Sequence, residues 1–262
     1  MVASLDESVG RIYQALVQAG LDNNTIIIFT TDNGGPAAGF NDNYANNYPL
    51  RGVKDTLWEG GVRGTAFIWS RLLAKAGRQS TQLMHISDWV PTLLSAAGGS
   101  TPTNKDLDGI DMWSSLSNSG FSPRKEVLLN IDHQRNVYAL RRGQYKLVIG
   151  STYNGDWDGW YPPEGGANRT EMEKRAVKVC GVRPVMASVP CQPSRSACLF
   201  NVEKDPCEYR NLAEDRPEVL KRLIDRLKVI NATVVPPRNQ PADPAASPHL
   251  HGYIWSPWKN EE

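Results

Sequence analysis

Thr25-Ile26-Ile27-Ile28-Phe29-Thr30-Thr31-Asp32-Asn33-Gly34-Gly35 is the stretch on which the fold turns. Its first seven residues are β-branched or aromatic without a break and too few for a helix, so they predict a strand. Continuous apolarity, instead of alternation, fits a strand covered on both faces, as in a parallel sheet flanked by helices. The preceding residues agree. Leu5, Val9, Ile12 and Leu16 recur at helical spacing, Ser4 and Glu7 have the spacing of a capping box, and Gly20 is a natural stop. A helix over about 5–19, a turn and a buried strand make half of an α/β unit.

Further along, Gly64–Trp69 predicts a second short strand and Ser87–Ala97 a helix with Pro91 in its first turn. The pattern changes after about residue 120. Strands are expected at 127–131, 137–141, 145–149 and 198–202, with Arg142-Gly143-Gln144 a hairpin-length link. Residues 151–197 read as a long Gly/Pro/Trp/Cys-rich loop. Residues 218–230 place Val219, Leu220, Leu223, Ile224, Leu227 and Ile230 on one side of a helix, and a Pro-rich tail follows from Pro236. The fold class expected is therefore α/β: residues 1–118 as the end of a doubly wound domain, then residues 119–262 as a small α+β unit with an antiparallel sheet, one helix, a disulfide-bearing loop and an extended tail.

Twenty-nine Lys and Arg balance 28 Asp and Glu, which removes any general electrostatic case for nucleic acid. No apolar run approaches the ~20 residues that span a bilayer. The opening Met1–Glu7 has neither a basic nor an apolar leader region, so no signal peptide is expected in this chain. Yet Asn23, Asn168 and Asn231 each head an N-x-[ST] glycosylation sequon, and Cys180, Cys191, Cys198 and Cys207 cluster in one loop-rich stretch. The cysteines read as disulfides, with 198–207 and 180–191 the favoured pairs among connectivities that sequence does not fix; the rival zinc site lacks a nearby His and the C-x₂₋₄-C spacing. Secretory-pathway features without a leader predict a piece of a longer chain.

The chemistry concentrates just past the triple isoleucine. Ligands of open α/β sheets bind beyond the carboxyl ends of strands. There Asp32 and Asn33 offer hard oxygen donors suited to Ca²⁺ or Mg²⁺, although D-N-G-G is also ordinary turn chemistry. About twenty residues on, Arg51-Gly52-Val53-Lys54-Asp55-Thr56-Leu57-Trp58-Glu59-Gly60-Gly61-Val62-Arg63-Gly64 sets three cations on a Gly-rich scaffold. Glycines and a Lys suit close approach to a tetrahedral oxyanion. A carboxylate and a cationic loop at one sheet edge point jointly to an anionic ester.

These stretches resemble the sulfatase family, most closely its arylsulfatase B-like (N-acetylgalactosamine-4-sulfatase-like) branch. The matching segments are Thr30–Gly35, Tyr48-Pro49-Leu50-Arg51-Gly52 through Lys54, Trp58–Arg63, His85–Leu93, Leu107–Asp111, Leu199–Val202 with Asp205-Pro206, and Trp255-Ser256-Pro257-Trp258. The resemblance implies an alkaline-phosphatase-like α/β domain with a small C-terminal domain, and hydrolysis of sulfate esters of sugars or aryl alcohols. It implies Ca²⁺ on Asp32 and Asn33, and Lys54 as the catalytic and substrate-binding residue on the sulfate. It also implies a lysosomal or secreted parent, of which this chain is roughly the carboxyl half, without the upstream formylglycine nucleophile and so inactive alone. A non-catalytic binding chain and a related phosphodiesterase are the alternatives.

Cys191-Gln192-Pro193-Ser194-Arg195 mimics the family's nucleophile segment but lies far downstream of Asp32, so a structural cysteine is expected there. His85 reads as a structural histidine bonded to nearby backbone. Trp58, Trp157, Trp160 and Tyr161 read as loop anchors, with sugar stacking as the alternative, and Glu59 as a partner for Arg51 or Arg63.

Overall fold

The structure is a computed structural model of the 262-residue chain, and it describes residues 1–100, 107–163, 180, 181, 183, 184 and 191–259. By backbone contacts the chain forms two compact units, Met1–Leu227 and Lys228–Glu262. The expected boundary near residue 118 lies inside the first.

Helix α1 spans Val2–Gln18 and strand β1 spans Ile27–Thr30. Gly20 terminates α1 at φ +68° while its N–H donates to Val17 O and that of Leu21 to Leu16 O, so the last carbonyls are satisfied. The start differs from expectation. The helix begins before Ser4, Met1 is its N-cap without a side-chain bond, and Ser8 Oγ donates to Ser4 O, so Ser4 and Glu7 form no capping box. Spacing alone cannot stop a helix from propagating through a Ser whose φ/ψ is helical.

Strand β1 also departs from the reading. It is half-buried, and its partner is β2 (Ala66–Trp69), which runs antiparallel to it with Ile28 opposite Ile68. Phe29 and Phe67 stack across the pair at 5.8 Å, and Tyr13 of α1 meets the Trp69 ring edge-on at 4.9 Å. An apolar run specifies a strand and its need for cover; the direction of the neighbour is set by how the intervening chain returns. Here residues 31–65 leave the strand end and re-enter it from the same side, with Thr31 N–H on Thr65 O. Short helices α2 (Glu59–Val62), α3 (Trp89–Ala96) and α4 (Trp113–Asn118) follow the loop and β2.

The second sheet is antiparallel with order β3-β4-β5-β6: Glu126–Asp132, Val137–Arg142, Tyr145–Ile149 and Cys198–Asn201. All four strands match expectation within a residue or two. The sheet is covered on both faces, so Val137, Ala139, Leu140, Leu147, Val148, Leu199 and Phe200 are each at most 1% exposed. On one face Leu57 and Trp58, at the threshold of α2, pack against Val137, Ala139, Val148 and Phe200. Helix α5 (Pro217–Asn231) buries Val219, Leu223 and Leu227 as its pattern predicts, and Arg226 pairs with Glu126 of β3.

The disulfides join Cys180 to Cys207 and Cys191 to Cys198, which is not the connectivity favoured from sequence. Gln192 O accepts from both Arg195 N–H and Ser196 N–H, and that turn returns Cys191 to the start of β6, 6.1 Å between Cα atoms. Cys198 is thereby taken, and Cys207 is left for Cys180. Of the sequons, Asn23 is exposed, Asn231 is half-buried at the end of α5, and Asn168 lies outside the described residues.

No residue of α1 is buried: Leu5, Ile12, Tyr13 and Val17 of its apolar face are all exposed. An apolar face left open binds hydrophobic dyes. We expect the 262-residue chain to enhance ANS fluorescence, and Leu5→Lys with Ile12→Lys to reduce that signal while shifting stability by about 0.5 kcal/mol or less. Leu140→Ala, fully buried, should instead cost about 2–5 kcal/mol in chemical denaturation.

Candidate active site

The turn after β1 and the loop before α2 are locked by main-chain contact. Gly34 N–H donates to Gly61 O at 2.8 Å, Lys54 N–H to Gly35 O at 3.0 Å, and Gly60 N–H to Arg51 O at 2.6 Å. Asn47 bridges the same pieces: its Oδ1 accepts from Gly35 N–H, and its Nδ2 donates to Gly35 O at 2.7 Å and Gly52 O at 3.3 Å. Glycine is required here by space. A Cβ on Gly34 would sit 1.7 Å from Gly60 O, and one on Gly60 would sit 2.4 Å from Arg51 O.

This lock brings the Asp32-Asn33 turn and the Lys54 loop together as one backbone unit. Asp32 is exposed, and its Oδ1 accepts from Asn33 N–H; Asn33 is half-buried and its Nδ2 donates to Gly34 O. Asn33 Nδ2 being so engaged, its Oδ1 is the atom left to face a cation. The donor chemistry fits Ca²⁺, but two side chains are far fewer than the six to eight oxygens that ion takes. Among the described residues no group of three or more His, Cys, Asp and Glu converges on a metal position. The turn can therefore hold part of a coordination shell.

Of the three loop cations, only Lys54 is exposed without an ion-pair partner among the described residues. Arg51 is 1% exposed, its guanidinium 3.4 Å from the Trp58 ring centroid and 4.6 Å from that of Trp160. Its Nε donates to Asp158 O at 2.7 Å and its Nη2 to Cys191 O at 3.3 Å. Burial pulls its pKa down to about 10, against the opposing charges of Glu208 and Asp158. Arg63 is spent on Glu59, to which its Nε donates at 2.8 Å. Asp55, next to Lys54, accepts from Tyr153 Oη at 2.6 Å and pairs with Arg135.

Glu59 does hold the loop through Arg63, and two further residues hold Glu59. Lys146, fully buried as the second residue of β5, places Nζ 3.0 Å from Glu59 Oε1 and 2.8 Å from Glu208 Oε1. The second contact is a charge pair without hydrogen-bond alignment, while Glu208 Oε2 accepts from Glu59 N–H at 2.7 Å. Burial pushes the Glu208 carboxyl up to about 7, with Glu59 adding to the rise and Lys146 opposing it. Burial also acts to raise Glu59, but Lys146 and Arg63 overcome it and hold that carboxyl down to about 2. Sequence reasoning missed both new partners. A lone Lys inside Tyr145-Lys146-Leu147-Val148-Ile149 was the available signal for one; Glu208, in an ordinary polar turn, gave none.

The remaining expectations resolve simply. His85 Nδ1 meets Ser87 Oγ at 2.8 Å and its N–H donates to Asp88, which also binds Arg124 and Ile110 N–H, so it caps the turn into α3. Trp58 lies edge-on to Phe200, Trp157 to Phe40, and Trp160 Nε1 donates to Cys207 O, which makes each an anchor. Cys191 is tied up as a half-cystine.

Residues 1–100 match the family model described as Sulfatase. The chain is 36% identical to arylsulfatase J of Mus musculus, over all of this chain and 44% of that protein. It is 27% identical to N-acetylgalactosamine-6-sulfatase of Canis lupus familiaris, over 91% of this chain and 44% of that one. Among solved structures, the PsFucS1 sulfatase from Pseudoalteromonas sp. superposes with a TM-score of 0.61 at 26% identity, covering 88% of this chain and 41% of that chain. A protein solved in complex with its substrate D-glucosamine-2-N,6-O-disulfate gives a TM-score of 0.55 at 20% identity, covering 88% and 39%. The α/β fold is thus that of the sulfatases, and the chain spans less than half the length of these relatives.

Two outcomes test the geometry. Gly34→Ala should lose about 1–3 kcal/mol or more, because a backbone oxygen occupies the added methyl's place. Gly10→Ala, in open space on α1, should gain up to about 1 kcal/mol. The second outcome concerns pH. Glu208 titrates at about 7 in the folded chain against an ordinary 4.5, so its stabilisation is complete below about 4.5 and fades as pH rises through about 7. Glu59 titrates at about 2, so its stabilisation is complete above about 4.5 and fades as pH falls through about 2. Melting temperature should therefore fall between pH 5 and 8, and Glu208→Gln should flatten that fall.

Proposed function

From the match of residues 1–100 to the Sulfatase family model we propose that the chain belongs to the sulfatase family and contributes the cation- and sulfate-contacting part of a sulfuric ester hydrolase of the arylsulfatase type. The observation that carries the reading is Lys54: it is the loop cation left exposed and unpaired among the described residues, and its own N–H is bonded to the turn that bears Asp32 and Asn33. A point charge on a rigid loop suits a sulfate group, whose oxygens share a diffuse negative charge. Lys54 binds that group and stabilises charge developing on the leaving ester oxygen. Asp32 and Asn33 would hold Ca²⁺, or Mg²⁺, and the bound ion would supply Lewis-acid neutralisation of the sulfate oxygens. Arg51 and Arg63 take no part in binding, since the first is buried between indoles and the second is paired.

The substrate class in this reading is a sulfated sugar or an aryl sulfate. Within the family the finer assignment is the arylsulfatase B-like branch, and the relatives matched, arylsulfatase J and N-acetylgalactosamine-6-sulfatase, support the family without singling out that branch. In this reading Cys191, bound in its disulfide to Cys198, is not the nucleophile. The 262-residue chain is then inactive by itself. Two disulfides and the exposed Asn23 sequon support a secretory-pathway parent, lysosomal or secreted, carrying N-glycans. Among the described residues no helix is long and apolar enough to cross a membrane.

The expected outcome is that a version extended upstream cleaves an aryl sulfate, leaves an aryl phosphate untouched, and needs added Ca²⁺ after chelation. Phosphate cleavage would transfer the chain to phosphoester chemistry, and inactivity of the extended form would leave a binding chain. Lys54→Ala should weaken inorganic sulfate by about tenfold or more, the ~1.5–3 kcal/mol of a charge-assisted bond, measured by isothermal titration.

A further inference from the structure

Glu59, Lys146 and Glu208 form a buried charge cluster that the proposed chemistry leaves unused, and three separate segments supply it: α2, β5 and the turn after β6. A buried ion cluster adds little net stability over apolar residues of the same volume, but its bonds are directional. The directions here are informative. Glu59 is gripped twice, at its carboxylate by Lys146 and at its backbone N–H by Glu208 Oε2. That fixes the first residue of α2. From α2 one main-chain bond runs to Arg51, at the root of the Lys54 loop, and another to Gly34, beside Asp32 and Asn33. The bond from Lys54 N–H to Gly35 O closes the circuit. The Gly34–Gly60 contact admits no side chain, so α2 cannot shift without moving both partners.

We propose that Lys146 and Glu208 are positioning residues for the sulfate site, setting through α2 the spacing between the Asp32-Asn33 turn and the Lys54 loop. The proposal rests on the reading of Lys54 and Asp32 given above for its chemistry, though the mechanical link stands on geometry alone. The groups facing Glu208 are Lys146 from β5, Glu59 from α2 and Arg51 from the preceding loop; Glu59 in turn faces Arg63 and Arg141. A change of charge at Glu208 therefore has a direct route to the loop through the Glu59 N–H bond.

The experiment is amide NMR on the ¹⁵N-labelled 262-residue chain, titrated from pH 4.5 to 8, with inorganic sulfate added in a separate series. The expected result is that the Lys54 and Gly34 amide resonances shift with one common midpoint, while Gly10 in α1 stays still. In Glu208→Gln, close in shape to the native side chain and able to keep the Glu59 N–H acceptor, that shift is lost although the spectrum remains folded. A destabilised but unlinked cluster would not produce a shared titration at both the Gly34 and the Lys54 amide. Flat Lys54 and Gly34 resonances in the unmutated chain overturn the proposal without any variant, and so does a titration that persists in Glu208→Gln. Sulfate reports separately: if it fails to move Lys54 while the pH response is present, the sulfate reading fails and the positioning link survives.

Discussion

The contact of Gly34 with Gly60, with no room for a methyl between them, is the constraint on which the rest of the site depends. It forces the strand-end turn and α2 into main-chain register, and the segments that carry Asp32, Asn33 and Lys54 are placed by that register. Backbone spacing pre-organises the two segments relative to one another, while the exposed side chains of Asp32 and Lys54 keep their own rotamer freedom. The glycines near Asp32 and those near Glu59 are two halves of one joint.

Burial sorts the charges around that joint. Three cations in fourteen residues look alike in sequence, but their surroundings assign them different work. Arg51 is flat and delocalised enough to lie between two indoles, and there it ties the loop to the Asp158 and Cys191 carbonyls. Arg63 neutralises Glu59, which Lys146 also contacts. Lys54, flanked by Gly52 and Val53 on one side and the exposed Asp55 on the other, keeps its ammonium in solvent. The half of the chain after residue 118 thereby enters the site's mechanics, because Lys146, Asp158, Cys191 and Glu208 all belong to it.

The second sheet can carry this load because it is covered on both faces. A lysine buried within β5 would be intolerable against hydrocarbon alone; two carboxylates make it tenable, and they come from segments 87 and 62 residues away in the chain. The disulfides act on the same region. Cys191–Cys198 closes the turn whose first residue offers its carbonyl to Arg51, and Cys180–Cys207 closes the segment beside Glu208. The Cys-x-Pro-Ser-Arg run is thus part of the scaffold around the loop.

The sequence by itself determined the local elements and the chemical inventory. Periodicity placed α1, α5 and the four strands of the second sheet, and the glycines around Asp32, Asn33 and Lys54 marked the segments that main-chain bonds join, because these signals act over a few residues of chain. Tertiary structure alone decided the direction of β1's neighbour, the cysteine pairing, the fate of Arg51 and the buried grip of Lys146 and Glu208 on Glu59. Each of those depends on which distant groups arrive at a point in space and how much water they exclude. A carboxylate such as Glu208 carries the same formula in a solvated turn or beneath two packed segments, and only the fold supplies the dielectric and the partners that tell them apart.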